Sequence, residues 1–153
     1  MSIIIRKIKK KEEKKAQELI LSILKNEFSE DATAYPQNDL KNIQDSYGKK
    51  REIFLVAEKE DLIIGTSAIK EDDKETALLR RIFVHPEFRN KGYGLTLLEE
   101  AIDFAKKQRF KRIIFNGTSK MISALNLCKK KGFIEKERID LGGVTIYRYC
   151  LSF

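Results

Sequence analysis

Proline and glycine are scarce, at two and eight of 153 residues. A chain so poor in both, with 42% apolar and 35% charged residues, is neither collagenous, nor low-complexity, nor wholly disordered. Cysteine is also rare: Cys128 and Cys150 stand outside any C-x-x-C spacing and inside apolar periodic segments. That placement argues against a zinc site and a disulfide framework, so no metal is expected and the thiols should be free, as in a cytoplasmic protein. No apolar run approaches the roughly 20 residues of a membrane helix. The early run Ile3 to Ile5 leads directly into Arg6, Lys7 and Lys9 to Lys11, which does not suit a secretory signal.

What is present fits one compact domain over residues 1–153, long enough to bury about 70% of its unfolded surface. Lys and Arg number 31 against 23 Asp and Glu, a net charge of +8 with the sole histidine neutral. The excess is compatible with an anionic partner. Few aromatic residues interleave with the basic runs, however, as a nucleic-acid stacking platform would require. The stretches Lys9 to Lys15 and Lys129 to Lys131 read as solvated surface, with attraction of an acidic acceptor protein as their alternative use.

Periodicity gives the element order. Ser2 to Lys9 suits a basic edge strand. Ala16, Leu19, Ile20, Ile23 and Leu24 recur at 0, 3, 4, 7, 8 and predict an amphipathic helix. Phe28 to Tyr35 has little periodicity and ends at Pro36. Beyond it, Asn38 or Asp39 can cap a short helix carrying Leu40, Ile43 and Tyr47, stopped by Gly48. Ile53 to Ala57, Leu62 to Ile69 and Ala77 to Val84 predict an antiparallel meander. A helix follows with Leu98, Ala101, Ile102 and Ala105 on one face. Then come a strand at Lys111 to Phe115, a helix at Ser119 to Lys131 ended by Gly132, and a hairpin of Phe133 to Ile139 with Val144 to Leu151. The order is β-α-α-β-β-β-α-β-α-β-β, an α/β chain without repeat or linker.

Between strand and helix lies His85-Pro86-Glu87-Phe88-Arg89-Asn90-Lys91-Gly92-Tyr93-Gly94, an R-x-x-G-x-G loop. Glycines there let the backbone turn tightly, so that several N–H groups and a helix N-terminus point at one spot. Such a nest suits a phosphate or pyrophosphate, with Arg89 and Lys91 as charge-assisted donors. The loop lacks the G-K-[ST] of a P-loop, and it follows the fourth strand, where a dinucleotide fold would use the first.

With those residues in view, the sequence resembles the GNAT superfamily of acyl-CoA-dependent N-acyltransferases. Leu79 to Gly94 is similar to its central motif, and Ala124 to Phe133 to its helix followed by Gly-Phe. The resemblance implies an α/β fold with a central mixed, mostly antiparallel sheet of six to seven strands flanked by about four helices. It also implies acetyl-CoA as co-substrate, with the backbone of Arg89, Asn90, Lys91, Gly92, Tyr93 and Gly94 on the pyrophosphate and the main chain of Phe83 and Val84 along the pantetheine arm. The sheet should splay after that point, between the fourth and fifth strands.

The expected reaction is direct attack of a primary amine on the thioester in a ternary complex, by a protein acting as monomer or homodimer. Many family members place a proton-donating Tyr where Cys128 stands here. Cys128 is therefore a candidate donor, while its place at 0, 3, 4, 7 with Met121, Ala124 and Leu125 favours a small core residue. Met121 replaces a common Asn. The fourth strand shows Ala77, Leu78, Leu79, Arg80 and Arg81 in place of the family's Glu, which favours a water chain as base. His85 serves turn shape better than catalysis. Asp39 and Glu75 are possible acidic contacts for an amine, with cap and loop roles favoured. Tyr147 and Tyr149 share a strand face that could line the acceptor groove, against the plainer reading of half-buried strand tyrosines. Glu30 to Tyr47 and Asp140 to Val144 should choose the acceptor, be it a metabolite, a polyamine, an antibiotic or a protein amine. An acyl-CoA-binding module without turnover and a basic nucleic-acid-binding protein are the competing functions.

Overall fold

The structure is a computed structural model and describes residues 3–28 and 37–153. The expected segment from Phe28 to Tyr35, and the first part of the expected acceptor segment, lie largely outside the described residues. The elements are β1 (Ile4–Lys7), α1 (Glu13–Glu27), α2 (Ile43–Ser46), β2 (Ile53–Lys59), β3 (Leu62–Glu71), β4 (Thr76–Val84), α3 (Tyr93–Lys107), β5 (Arg112–Thr118), α4 (Ile122–Lys130), β6 (Ile134–Asp140) and β7 (Thr145–Ser152). Seven strands form one sheet in the order β1-β2-β3-β4-β5-β7-β6, antiparallel except for the β4–β5 pair. The expected α/β fold with a mixed sheet is the one observed.

Two helix layers close the sheet. The apolar stripe of α1 buries Ala16, Ile20, Ile23 and Leu24, and that of α3 buries Leu97, Leu98, Ala101, Ile102 and Ala105. Side-chain contacts identify which face each helix covers. Ser67 donates to the Leu97 carbonyl of α3 at 3.1 Å, whereas Lys70, of opposite parity on the same strand, donates to the Ser46 carbonyl of α2 at 2.5 Å. Hence α1 and α2 lie on one face and α3 on the other. Helix α4 joins the α3 side, where a Cβ on Gly117 would meet Leu125 at 3.0 Å.

Three local expectations need correction. The fifth strand runs on to Thr118, past the expected end at Phe115, because β7 pairs with it through Thr118↔Ile146. Helix α4 starts at Ile122, later than Ser119, because Met121 N–H closes a turn onto the Thr118 carbonyl first. The expected short helix divides into a 3-10 turn at Asn38–Lys41 and the single turn α2, and neither Asn38 nor Asp39 caps it. Instead the Ile43 N–H is satisfied by the Glu13 carboxylate at 2.9 Å.

Asp39 turns inward. Arg81 donates to it from Nε at 2.9 Å and from Nη2 at 2.6 Å, and Tyr47 from its hydroxyl at 2.6 Å. Asp39 and Arg81 retain only 8% and 7% of their exposure. Arg81 has φ +54°, a left-handed conformation that disfavours a non-glycine residue by about 1–2 kcal/mol. It sits in a bulge: Thr66 pairs with Phe83 and Ala68 with Arg80, so Arg81 and Ile82 together oppose Ser67. Packing over-determines the conformation, since the Arg81 carbonyl also accepts from the Thr66 hydroxyl at 2.6 Å.

Burial opposes ionisation of Asp39, yet hydrogen bonds from Arg81 and Tyr47 hold its carboxyl below the ordinary value of 3.8. A depressed carboxylate stabilises the fold above its unfolded pKa, and that contribution is lost as pH falls through the folded value. Asp39→Asn should therefore destabilise the protein by about 3–5 kcal/mol at neutral pH, because it strands the buried Arg81 charge. It should also flatten the acid limb of stability below pH 3.8. Denaturant melts from pH 6 to pH 2 check both, and an unchanged acid limb contradicts the assignment.

Candidate functional site

Strand β4 pairs with β5 over only three residues, Thr76 to Leu78. Beyond Leu78↔Ile114 the two strands part. A cleft of about 600 Å³ lies along the freed part of β4, with Ile82, Phe83 and Val84 on its wall. Its floor and rim come from Phe88 to Asn90, Gly92 to Leu95, the end of α1 and one face of α4.

The loop after β4 shapes one end. His85 opens a 3-10 turn at Pro86–Phe88, its Nδ1 accepting from Glu87 N–H at 3.1 Å, which is the turn-shaping role expected of it. Asn90 and Gly92 both take left-handed backbone angles, φ +63° and +83°. Gly92 is the N-cap of α3, and a Cβ there would meet nothing within 4 Å, so backbone conformation and not space asks for glycine. Gly94 is different: its Cβ would come within 3.1 Å of Leu127, so glycine permits α3 and α4 to approach. The first backbone bond into α3 is Thr96 N–H to the Gly92 carbonyl at 3.2 Å. The N–H groups of Tyr93, Gly94 and Leu95 therefore precede the helical ladder and carry the positive end of the α3 dipole to the cleft.

The expected cofactor residues come together here, with one qualification each for Lys91 and Arg89. Phe83, Val84, Arg89, Asn90, Gly92, Tyr93 and Gly94 line the cleft, while Lys91 stands exposed beside it. Arg89 is already engaged: Nη1 and Nη2 donate to the two Glu27 oxygens at 2.8 Å each, and Nε to the Val84 carbonyl at 3.0 Å. That fork ties the loop to the end of α1. Residues not foreseen are Lys120, Ser123, Asn126, Leu127 and Lys130, which form the other wall. Four of them recur at 123, 126, 127 and 130, a helical stripe legible beside the apolar one of Ala124, Leu125 and Cys128.

The remaining candidates divide. Cys128 is fully buried, does not line the cleft, and burial pushes its thiol up to about 12. It packs as a small apolar residue. Met121 lines the cleft at the N-cap of α4. Glu75 is exposed and paired with Lys111 at 2.9 Å, near the start of β4. Tyr149 is buried beneath Lys129 of α4, and Tyr147 has the same parity on β7, so both belong to the α4 face and not to the face bearing α1 and α2. Among the described residues, no helix is long and apolar enough to cross a membrane.

Comparison with known proteins agrees with this geometry. The chain is 28% identical over 129 residues to the probable N-acetyltransferase camello of Xenopus tropicalis, covering 82% of this chain and 58% of that one. It is 32% identical over 101 residues to human N-acetyltransferase 8, covering 62% and 44%. The chain thus spans about half the length of these curated relatives. A GNAT-family acetyltransferase of Staphylococcus aureus Mu50 superposes with a TM-score of 0.85 at 28% identity, over 99% of both chains. The protein yncA of Salmonella typhimurium, solved with its cofactor acetyl-CoA, shares the fold at a TM-score of 0.78 and 18% identity, over 99% and 94%. Residues 18–133 match the acetyltransferase (GNAT) family, and with the splayed sheet and the R-x-x-G-x-G turn in place, the chain belongs to it.

Proposed function

We propose that the protein transfers an acetyl group from acetyl-CoA to a primary amine by direct attack in a ternary complex. The observation that carries this is the cleft at the β4–β5 parting, which combines an unpaired strand with a helix N-terminus. An unpaired β4 backbone suits an extended amide-bearing arm, as an added strand would. The amides of Tyr93 to Leu95, with Lys120 and Lys130 on the opposite wall, suit a pyrophosphate. Acetyl-CoA would supply the activated thioester. Free, buried cysteines support a cytoplasmic setting.

An alkylamine with a pKa of about 10.4 is neutral roughly once in a thousand molecules at neutral pH, a handicap of roughly 4 kcal/mol. No acidic residue of β4 is placed to remove the proton, and Asp39 is locked between Arg81 and Tyr47. Water therefore takes it. The amine nitrogen forms the C–N bond, the C–S bond breaks with its electron pair on sulfur, and the proton returns to the thiolate through solvent. A backbone N–H on the part of β4 that β5 leaves unpaired would stabilise the developing oxyanion.

Calorimetric titration of acetyl-CoA should give micromolar-range affinity, and Gly92→Glu should weaken it at least tenfold. That change combines left-handed backbone strain of about 1–3 kcal/mol with a carboxylate beside the pyrophosphate. Failure of the folded, ligand-free wild type to bind removes the foundation of the assignment.

Cys128→Ala separates the donor role from packing. Turnover should stay within about twofold of wild type, while the melting curve reports a loss of about 1–2 kcal/mol for an emptied core site. A drop in kcat of about a hundredfold with intact acetyl-CoA binding would restore Cys128 as the proton donor.

A further inference from the structure

On the face bearing α1 and α2, a cationic residue stands to each side of the β4–β5 opening, Arg80 on β4 and Arg148 on β7, one strand beyond β5. Strand alternation places them. Lys70 reaches α2, so its neighbour of equal parity, Ala68, shares that face. Leu78 and Arg80 are the register partners of Lys70 and Ala68. Across the opening, Ile114 is the partner of Leu78, and Asn116 stands two residues further along β5. Arg148 on β7 is the partner of Asn116. One row therefore crosses the sheet: Arg80, the opening, Asn116, Arg148.

Among the described residues, both guanidiniums have donors to spare: Arg80 keeps 30% of its side-chain exposure and has one ion-pair contact there, 3.8 Å to an Asp39 oxygen that Arg81 already holds at 2.6 Å. Arg148 donates from Nε to Asn116 Oδ1 at 3.3 Å. Glu137, the partner of Arg148 on β6, forms no ion pair with it among the described residues. Arg80 and Arg148 are two strand spacings apart, about 10 Å in a closed sheet, and the parting widens that to a gap that two long side chains can bridge from either side. Arg80 also adjoins the Arg81–Ile82 bulge, and Ile82 lines the cleft.

A guanidinium fork matches the two oxygens of a carboxylate. The same positive charges disfavour a protonated amine beside them, which eases the loss of a proton that no β4 carboxylate is there to take. We propose that this row selects the acceptor, an amine carrying a carboxylate next to its nitrogen, as an α-amino acid does. Arg80 and Arg148 hold the carboxylate, and the amine is left at the opening beside the bulge. The assignment rests on the acetyltransferase function proposed above.

Binding of the acetylated product reads the row without turnover. The protein, loaded with CoA, is titrated with the N-acetyl forms of the standard L-amino acids, each against its carboxamide. At least one acid should bind about tenfold or more tightly than its amide, the scale of a charge-assisted hydrogen bond. Arg80→Gln and Arg148→Gln should each abolish that preference while CoA affinity and the circular dichroism spectrum stay as in wild type. If CoA does not bind, the acetyltransferase assignment falls and the row loses its role with it. If CoA binds but no acid is preferred to its amide, or the preference survives both substitutions, the carboxylate assignment is overturned and the transferase assignment stands.

Discussion

A single buried carboxylate holds the working part of this sheet in shape. Asp39 accepts from Arg81 and Tyr47 at once, joining the turn before α2 to the bulge in β4. The bulge puts Arg81 in a left-handed conformation that a free chain would abandon, and the fork onto Asp39 holds it there together with the Thr66 hydroxyl on its carbonyl. Past that bulge β4 runs on without β5 and offers a wall of Ile82, Phe83 and Val84. The ion group is thus a shape-holding device, since a buried pair of this kind adds little net stability over a well-packed apolar substitute.

Charge is distributed along β4 in two registers of burial. Arg81 is enclosed and neutralised by Asp39, whereas Arg80, its neighbour, is half-exposed with spare donors. Arg89 represents a third state, a rim residue paired with Glu27 that anchors the loop to α1. The start of α3 contributes its backbone dipoles to the cleft, and Lys130 faces it from the α4 wall. Fixed dipoles need no reorganisation when a ligand arrives, unlike long exposed side chains.

Much of this was legible in the residues. The stripes of α1 and α3 carried their period plainly, and the glycines of R-x-x-G-x-G marked the turn into α3. Other features were hidden because they depend on pairing between distant segments. Asp39 read as a helix cap since nothing local points to a strand bulge 42 residues away. For Tyr147 and Tyr149 a groove role stood beside the plainer reading of half-buried strand tyrosines, because alternation yields two faces without saying which one α4 covers. The polar stripe of α4 was visible as periodicity, yet its use as a cleft wall required α4 to be docked beside α3.

The sequence by itself determined the order of elements, the loop that turns into α3 and the family to which the chain belongs. These are local properties, set by periodicity, glycine at left-handed positions and residue spacing. Only the tertiary structure decided at which residue β4 and β5 part, and that Arg80, Asn116 and Arg148 form one row. Each of those is a consequence of strand register, and register is fixed by the packing of whole faces and not by neighbours along the chain.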